Sequence, residues 1–155
     1  MTAAEANLIR LGIELPPVPP PVANFIRARQ AGGLLFLSGH GPVRPDGSRV
    51  TGKVGSDLDV EEAKAAARLT GLNLLATTRA HLGSLDGVQA VLKVLAMVNS
   101  APGFDRQPEV VDGFSDLMVE VFGEQGRHAR SAVGMAELPF GIPIEIEMIL
   151  EVAGA

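Results

Sequence analysis

From Ile142 to Val152 the chain alternates with a period of two. The even positions Ile142, Ile144, Ile146, Met148, Leu150 and Val152 are all apolar, and the odd ones are Pro143, Glu145, Glu147, Ile149 and Glu151. That pattern specifies a strand with one face in a core and one face outside it. It also places three carboxylates, Glu145, Glu147 and Glu151, on the outer face. The preceding stretch differs. Its alternating sets are Ala132, Gly134, Ala136, Leu138 and Ser131, Val133, Met135, Glu137, so it is small and apolar on both faces. A strand of that kind wants cover on both sides. Helices of the same chain supply one cover, and another subunit is the natural source of the second.

These two segments read as a hairpin turning tightly near Phe140-Gly141, with Arg130 at the mouth of its first strand. In a simple hairpin Arg130 stands opposite Glu151. Glu145 then lies about six residues further along, roughly 20 Å at about 3.3 Å per residue. Arg130 and Glu145 can share a site only across a subunit boundary.

Length and composition set the frame. A chain of 155 residues reads as one domain, 1–155, with 1–21 as an N-terminal helix and Pro-rich extension. The net charge is −5, and Trp and Tyr are absent. That argues against a nucleic-acid surface, which needs basic patches and stacking rings. No cysteine is present, which excludes disulfides, a thiolate nucleophile and zinc–sulfur sites. Glu5 and Arg10 interrupt the first residues, so no secretory signal is read, and no apolar run is long enough to span a membrane. A cytoplasmic protein is the expectation.

Along the chain, Ala3 to Leu11 reads as a short helix stopped by Gly12. Pro16, Pro17, Pro19, Pro20 and Pro21 then force an extended run, a linker or a surface strap. Asn24–Gln30 and Leu34–Ser38 read as strands around an Ala31-Gly32-Gly33 turn. Gly39 to Asp59 is loop-rich. Val60 to Leu82 is the strongest helix, with Asp59 and Glu62 as a capping box, a stripe of Ala65, Leu69, Leu72, Ala76 and Ala80, and Gly83 as its stop. Val88–Ser100 reads as a buried strand. A second helix starts near Pro108, with a stripe of Val110, Phe114, Leu117, Met118 and Val121, and ends at Gly123. Hairpin, helix, strand, helix, hairpin is an α+β domain with both helices on one face of a mainly antiparallel sheet.

The histidines give no metal spacing. His40, His81 and His128 are far apart, and none has a partner at a ligand interval. His81 suits the helix C-terminus and His128 reads as surface; His40, at a strand end, is the one to watch. Gly39 to Gly55 fits neither the P-loop nor the dinucleotide spacing. Ser38 and Ser131 lack a readable Ser-His-Asp constellation. From residue chemistry, Arg130 is either a surface arginine paired with an acidic neighbour or an anion anchor. The three glutamates are either an exposed face or a site.

Several blocks carry a family resemblance. Leu37-Ser38-Gly39-His40-Gly41-Pro42 is similar to a strand-end SGQ-x-P motif. Ala129-Arg130-Ser131 is followed by Leu138-Pro139 and Ile144-Glu145-Ile146-Glu147, and Val121-Phe122-Gly123 ends the second helix. Over residues 18–153 the chain resembles the RidA (YjgF) family, also called endoribonuclease L-PSP-like. The resemblance implies a chorismate mutase-like fold and a homotrimer, with sheets around a central barrel, helices outside and clefts between subunits. It implies hydrolysis of reactive 2-enamine and 2-imine intermediates to 2-keto acids and ammonia, without metal or organic cofactor. Such a protein is a hydrolase of C=N bonds whose partner is a small carboxylate-bearing ligand. Arg130 matches the arginine that binds the substrate carboxylate, and Glu145 the glutamate that positions water. Ser38, Gly39, His40, Phe25, Ser115 and Ala132 fall at substrate-binding positions. Four of these depart from the family: its tyrosine falls at Phe25, an asparagine at Ser115, a cysteine at Ala132 and a glutamine at His40. The pattern is that of a divergent subgroup with a relined pocket. A non-catalytic binding module or sensor for a small carboxylate metabolite is the alternative. Ribonuclease activity sits poorly with the charge and the isolated histidines.

Overall fold

The computed structural model describes residues 4–154. In chain order the elements are α1 (Ala4–Leu11), β1 (Ala28–Ala31), β2 (Leu34–His40), α2 (Val60–Leu82), β3 (Val88–Asn99), α3 (Gln107–Phe122), β4 (Ala129–Met135) and β5 (Ile144–Val152). The expected helix start at Ala3 lies outside the described residues. The five strands form one sheet in the order β1-β2-β5-β3-β4. This mixed sheet with its helices is the expected α+β, chorismate mutase-like arrangement.

The C-terminal hairpin does not form. β4 pairs parallel with β3, through Val94↔Arg130 and Ala96↔Ala132. β5 instead enters the middle of the sheet, antiparallel to both β2 and β3. Burial explains the choice. All six even positions from Ile142 to Val152 are 5 % exposed or less, and a central strand hides such a row better than a strand at one end. The parallel β3–β4 pair needs a crossover, which α3 provides. The link from β4 to β5 is therefore no tight turn. It passes over the end of β3, where Asn99 donates its backbone N–H to Pro143 and its side-chain amide to Ile142. Phe140 and Gly141 take up left-handed φ values of 60° and 67° to make the corner.

β1 is shorter than expected, beginning at Ala28 rather than Asn24, after Ala23 takes a left-handed φ of 63°. α2 spans the expected residues, and its capping box is complete: Asp59 accepts from the Glu62 N–H, and Glu62 accepts from the Asp59 N–H. Its buried stripe is not the expected one. Ala65 and Ala80 are exposed, whereas Ala63, Ala66, Ala67, Thr70, Gly71, Leu74 and Thr78 are buried. Small side chains let α3 approach closely. A Cβ on Gly113 of α3 would lie 2.2 Å from the Lys64 carbonyl oxygen, and one on Gly71 would lie 2.8 Å from Leu117. Thr70 and Thr78 bury because each hydroxyl donates to a carbonyl one turn back, on Ala66 and Leu74. The α3 stripe of Val110, Phe114, Leu117, Met118 and Val121 is fully buried, as its spacing demands.

α1 docks on the back of this layer through buried Ala4 and Leu8, an Asn7 amide bond to the Val121 carbonyl and a two-pronged Glu5–Arg79 ion pair. The Pro-rich run leaves this anchor as a strap towards β1. Among the described residues no helix covers the opposite face of the sheet. Leu34, Phe36, Leu92 and Val133 remain exposed there.

Gly113→Ala is expected to push the two helix backbones apart and destabilise the fold by about 1–3 kcal/mol, the usual cost of overpacking. Chemical denaturation of the two proteins measures it.

Candidate functional site

The strand-end segment at Ser38-Gly39 is a bulge. Between the pairs Leu37↔Met148 and His40↔Ile146, β2 spends one residue more than β5. A bulge bends a strand and re-aims the residues beyond it. Here it brings the Gly39 backbone beneath the Glu145 carboxylate. A Cβ on Gly39 would fall 2.1 Å from Glu145 Oε1. A side chain at this position would displace the Glu145 carboxylate. Glu145 is half-buried, and its carboxyl is raised above the usual value near 4.5, first by burial and second by Glu147. Among the described residues it has no hydrogen bond or ion pair.

Glu145 opens into a cavity of about 450 Å³ beneath the Pro-rich strap. Pro17, Pro19, Pro20 and Val22 form its apolar wall, and Phe25, Arg27, His40 and Arg49 reach it from other sides. The strap thus covers this chain's own cavity. Phe25, expected at the site, is here and half exposed. His40 is here too, but its ring is buried: Nδ1 donates to the Ser38 carbonyl at 2.6 Å, leaving Nε2 to accept from the Thr77 hydroxyl at 2.8 Å. Its nitrogens are spent on holding the bulge against α2.

A second cluster forms between α3 and β4. Arg130 donates to Ser115 Oγ at 3.0 Å and the Pro108 carbonyl at 3.3 Å, and pairs with Asp112 at 2.9 Å. Ser115 Oγ is 2.9 Å from His128 Nε2, and His128 Nδ1 is 2.7 Å from the Gly126 carbonyl. A carbonyl can only accept, so Nδ1 carries the proton and Nε2 accepts from the serine. The relay runs Arg130 to Ser115 to His128 to backbone. His128, read from sequence as surface, is half-buried and packs edge-on against Phe114 at 5.7 Å. Asp112 was also missed, although it stands one helical turn before Ser115 and so on the same face.

The expected residues therefore divide. Phe25, Gly39, His40 and Glu145 surround the cavity; Arg130, Ser115 and Ala132 belong to the α3–β4 cluster. Ser38 joins neither, since its hydroxyl donates to the Ile26 carbonyl and it lines a depression on the outer sheet face with Lys93 and Glu147. Arg130 is level with Val94 and Glu145 with Met97. Their backbones are thus about 10 Å apart along the strands and about 10 Å across them, not 20 Å along a hairpin. They also point to opposite faces. Arg130 shares the helix-covered side with buried Val94, and Glu145 the side away from Ile144 and Ile146. One chain cannot close both around one small ligand.

Among the described residues no group of three or more His, Asp or Glu is disposed to hold a metal ion, and no helix is long and apolar enough to cross a membrane. Both histidines of the site are held below the usual 6.5, chiefly by burial, with Arg27 beside His40 and Arg130 beside His128 adding to the effect. On acidification the unfolded chain takes up these protons first. Stability is then complete above about pH 6.5 and declines as pH falls below it. The thermal midpoint is expected to drop between pH 7.5 and 5.5, and to drop less in His40→Gln, which keeps a partner for Thr77; calorimetry at the two pH values checks this.

The family model described as "YjgF/chorismate_mutase-like, putative endoribonuclease" matches residues 5–144. Protein TCP17 of Trypanosoma cruzi is 45% identical over 147 residues, covering 94% of this chain and 92% of its own length. The structure of Atu1372 from Agrobacterium tumefaciens, a protein of unknown function, is 42% identical with a TM-score of 0.87, covering 96% of this chain and 91% of that one. A Shewanella oneidensis protein, described as "a putative endoribonuclease", has a TM-score of 0.91 at 30% identity, covering 96% of this chain and 99% of that one. The chain belongs to the YjgF/chorismate mutase-like family.

Proposed function

We propose that this protein hydrolyses 2-imino acids to 2-keto acids and ammonia at clefts shared by two copies of the chain. The observation that carries the reading is Glu145: a half-buried carboxylate without a partner, with a raised pKa, facing a cavity. A raised pKa makes the carboxylate a better base towards water. Arg130 of a second copy holds the substrate carboxylate through its planar fork. Asp112 and Ser115 fix that fork in place before substrate arrives.

The chemistry balances without further groups. A water beside Glu145 gives its proton to the carboxylate as its oxygen bonds to C2 of the imine. Glu145 hands that proton to the imine nitrogen, giving the carbinolamine. Glu145 then takes the hydroxyl proton and passes it to the nitrogen, so that C=O forms as ammonia leaves. Held geometry supplies much of the acceleration, since the imine is already electrophilic.

Assembly follows from the same geometry. The uncovered face of β2, β5, β3 and β4 presents Phe36, Ile149, Leu95 and Val133 between its glutamates. A second copy is its fitting cover, and a homotrimer is the arrangement proposed.

One observation favours a second reading, a carboxylate-binding module. Phe25 brings no hydroxyl to the cavity, and His40 spends both ring nitrogens elsewhere. That leaves Glu145 to manage the proton transfers alone.

The test measures the decay of imines generated in solution from amino acids. Arg130→Ala is expected to lose about ten- to a hundred-fold in kcat/KM, the value of a charge-assisted contact. Full activity in Arg130→Ala overturns the assignment. Gly39→Ala, which displaces the Glu145 carboxylate, should lose activity while remaining folded. Glu145→Gln should be inactive yet melt higher at pH 7, because it removes a partly buried charge beside Glu147. Refolding Arg130→Ala together with Glu145→Gln should restore about a quarter of wild-type activity, since random pairing rebuilds that share of two-copy sites. No recovery would mean that one copy carries the whole site.

A further inference from the structure

The cavity beside Glu145 holds more positive charge than the reaction uses. Arg27 and Arg49 both line it, against Glu145 as its one carboxylate. His40, with its ring bonds committed to Thr77 and Ser38, adds no charge. Five arginines have an acidic partner: Arg68 with Glu120, Arg79 with Glu5, Arg106 with Glu109, Arg127 with Glu124 and Arg130 with Asp112. Arg27 has none. Its Nε is the one buried side-chain nitrogen or oxygen among the described residues that no hydrogen bond satisfies. Arg49 lays its guanidinium 4.1 Å from the centre of the Phe140 ring, which spends its face and leaves its N–H edge free of any carboxylate.

Glu145 does not neutralise Arg27. No ion pair joins the two among the described residues, although both line one cavity. Nε itself is out of a ligand's reach, but the terminal N–H groups of the same half-buried guanidinium have no hydrogen bond or ion pair among the described residues, and a planar anion satisfies those best. The strap's prolines line the space around it, so that apolar surface borders such a contact.

We propose that the cavity under the strap is a side-chain subsite in which Arg27 binds a second anionic group of the ligand. This inference rests on the reading of the site as one for 2-imino acids. Within that class, whose side chains are those of amino acids, the second anion is a carboxylate. The preferred substrates are then dicarboxylic, with C1 at Arg130 of one copy, C2 at Glu145 of the other and the distal carboxylate at Arg27. Arg49 adds long-range attraction at the rim.

The experiment titrates 2-oxoglutarate and 2-oxobutanoate, a dicarboxylic and a monocarboxylic product analogue, into wild-type protein and Arg27→Gln by calorimetry. Wild type is expected to bind 2-oxoglutarate about ten- to a hundred-fold more tightly, the range for a charge-assisted pair. Arg27→Gln should remove that advantage and leave 2-oxobutanoate unchanged within about two-fold. Equal affinity for the two acids overturns the proposal, as does an advantage that survives in Arg27→Gln. It is also overturned if Arg27→Gln changes the oligomer size in light scattering without altering 2-oxoglutarate binding, because the acceptor is then a residue of the neighbouring copy. The outcomes separate from those of the imine assay. Arg130-dependent hydrolysis of monocarboxylic imines with no dicarboxylate preference keeps the deaminase and removes the subsite. Arg27-dependent binding of 2-oxoglutarate with no imine hydrolysed keeps the subsite and removes the deaminase.

Discussion

The structure depends on where β5 sits. It lies in the centre of the sheet, hydrogen-bonded on both edges, with its even side chains sealed under α2 and α3. Each fully buried Ile, Leu or Met contributes about 1.5–3 kcal/mol, so this row is a principal part of the core. Period two then leaves no freedom for the odd positions. Glu145 and Glu147 must face the other way, and a slip of one residue would bury carboxylates and expose isoleucines. The register that stabilises the fold is the register that presents Glu145. The β2 bulge completes the arrangement by passing Gly39 beneath it.

A sheet covered on one face only is an unfinished object. The helices were drawn to one side because two crossovers, β2 to β3 through α2 and β3 to β4 through α3, return to the same layer. The outer side is left with Phe36, Leu34 and Val133 in the open and glutamates among them. Arg130 is fixed on the covered side by α3, and Glu145 on the open side. If both groups serve one ligand, assembly and activity are a single requirement. Loss of the interface would then abolish the site without touching any residue in it.

Local signals in the sequence are legible, and non-local ones less so. The capping box at Asp59, Pro108 at the start of α3 and the α3 stripe depend on residues within a turn of each other, and each is where its chemistry puts it. The face of α2 that packs is set by α3, whose Gly113 invites small residues; composition alone makes alanines at 65 and 80 look equivalent to those at 63 and 67. The expected hairpin fails for the same reason. Sequential strands joined by a turn-like Phe140-Gly141 look like neighbours, and nothing local announces that β3 lies between them. The site is legible residue by residue but not in its division between two faces. His128 and Asp112 escape notice because their role exists only once α3 lies along β4.

The departures from the family pattern have physical consequences that can be traced. Where the resemblance places an asparagine, Ser115 is too short to act alone, and His128 stands behind it, accepting its proton so that the serine oxygen is free to accept from Arg130. Where it places a glutamine, His40 bridges Ser38 and Thr77 and fixes the bulge. Both residues hold neighbouring groups in place. Phe25 is different, because no neighbour replaces the hydroxyl it lacks. Its ring instead joins the strap's prolines in an apolar wall of the cavity that Arg27 also lines. The charged groups of this cavity are the Glu145 carboxylate and the guanidiniums of Arg27 and Arg49, with His40, Asn73 and Thr77 as its other polar side chains. If Arg27 serves a ligand, discrimination among ligands comes from the position of a second anion rather than from side-chain size.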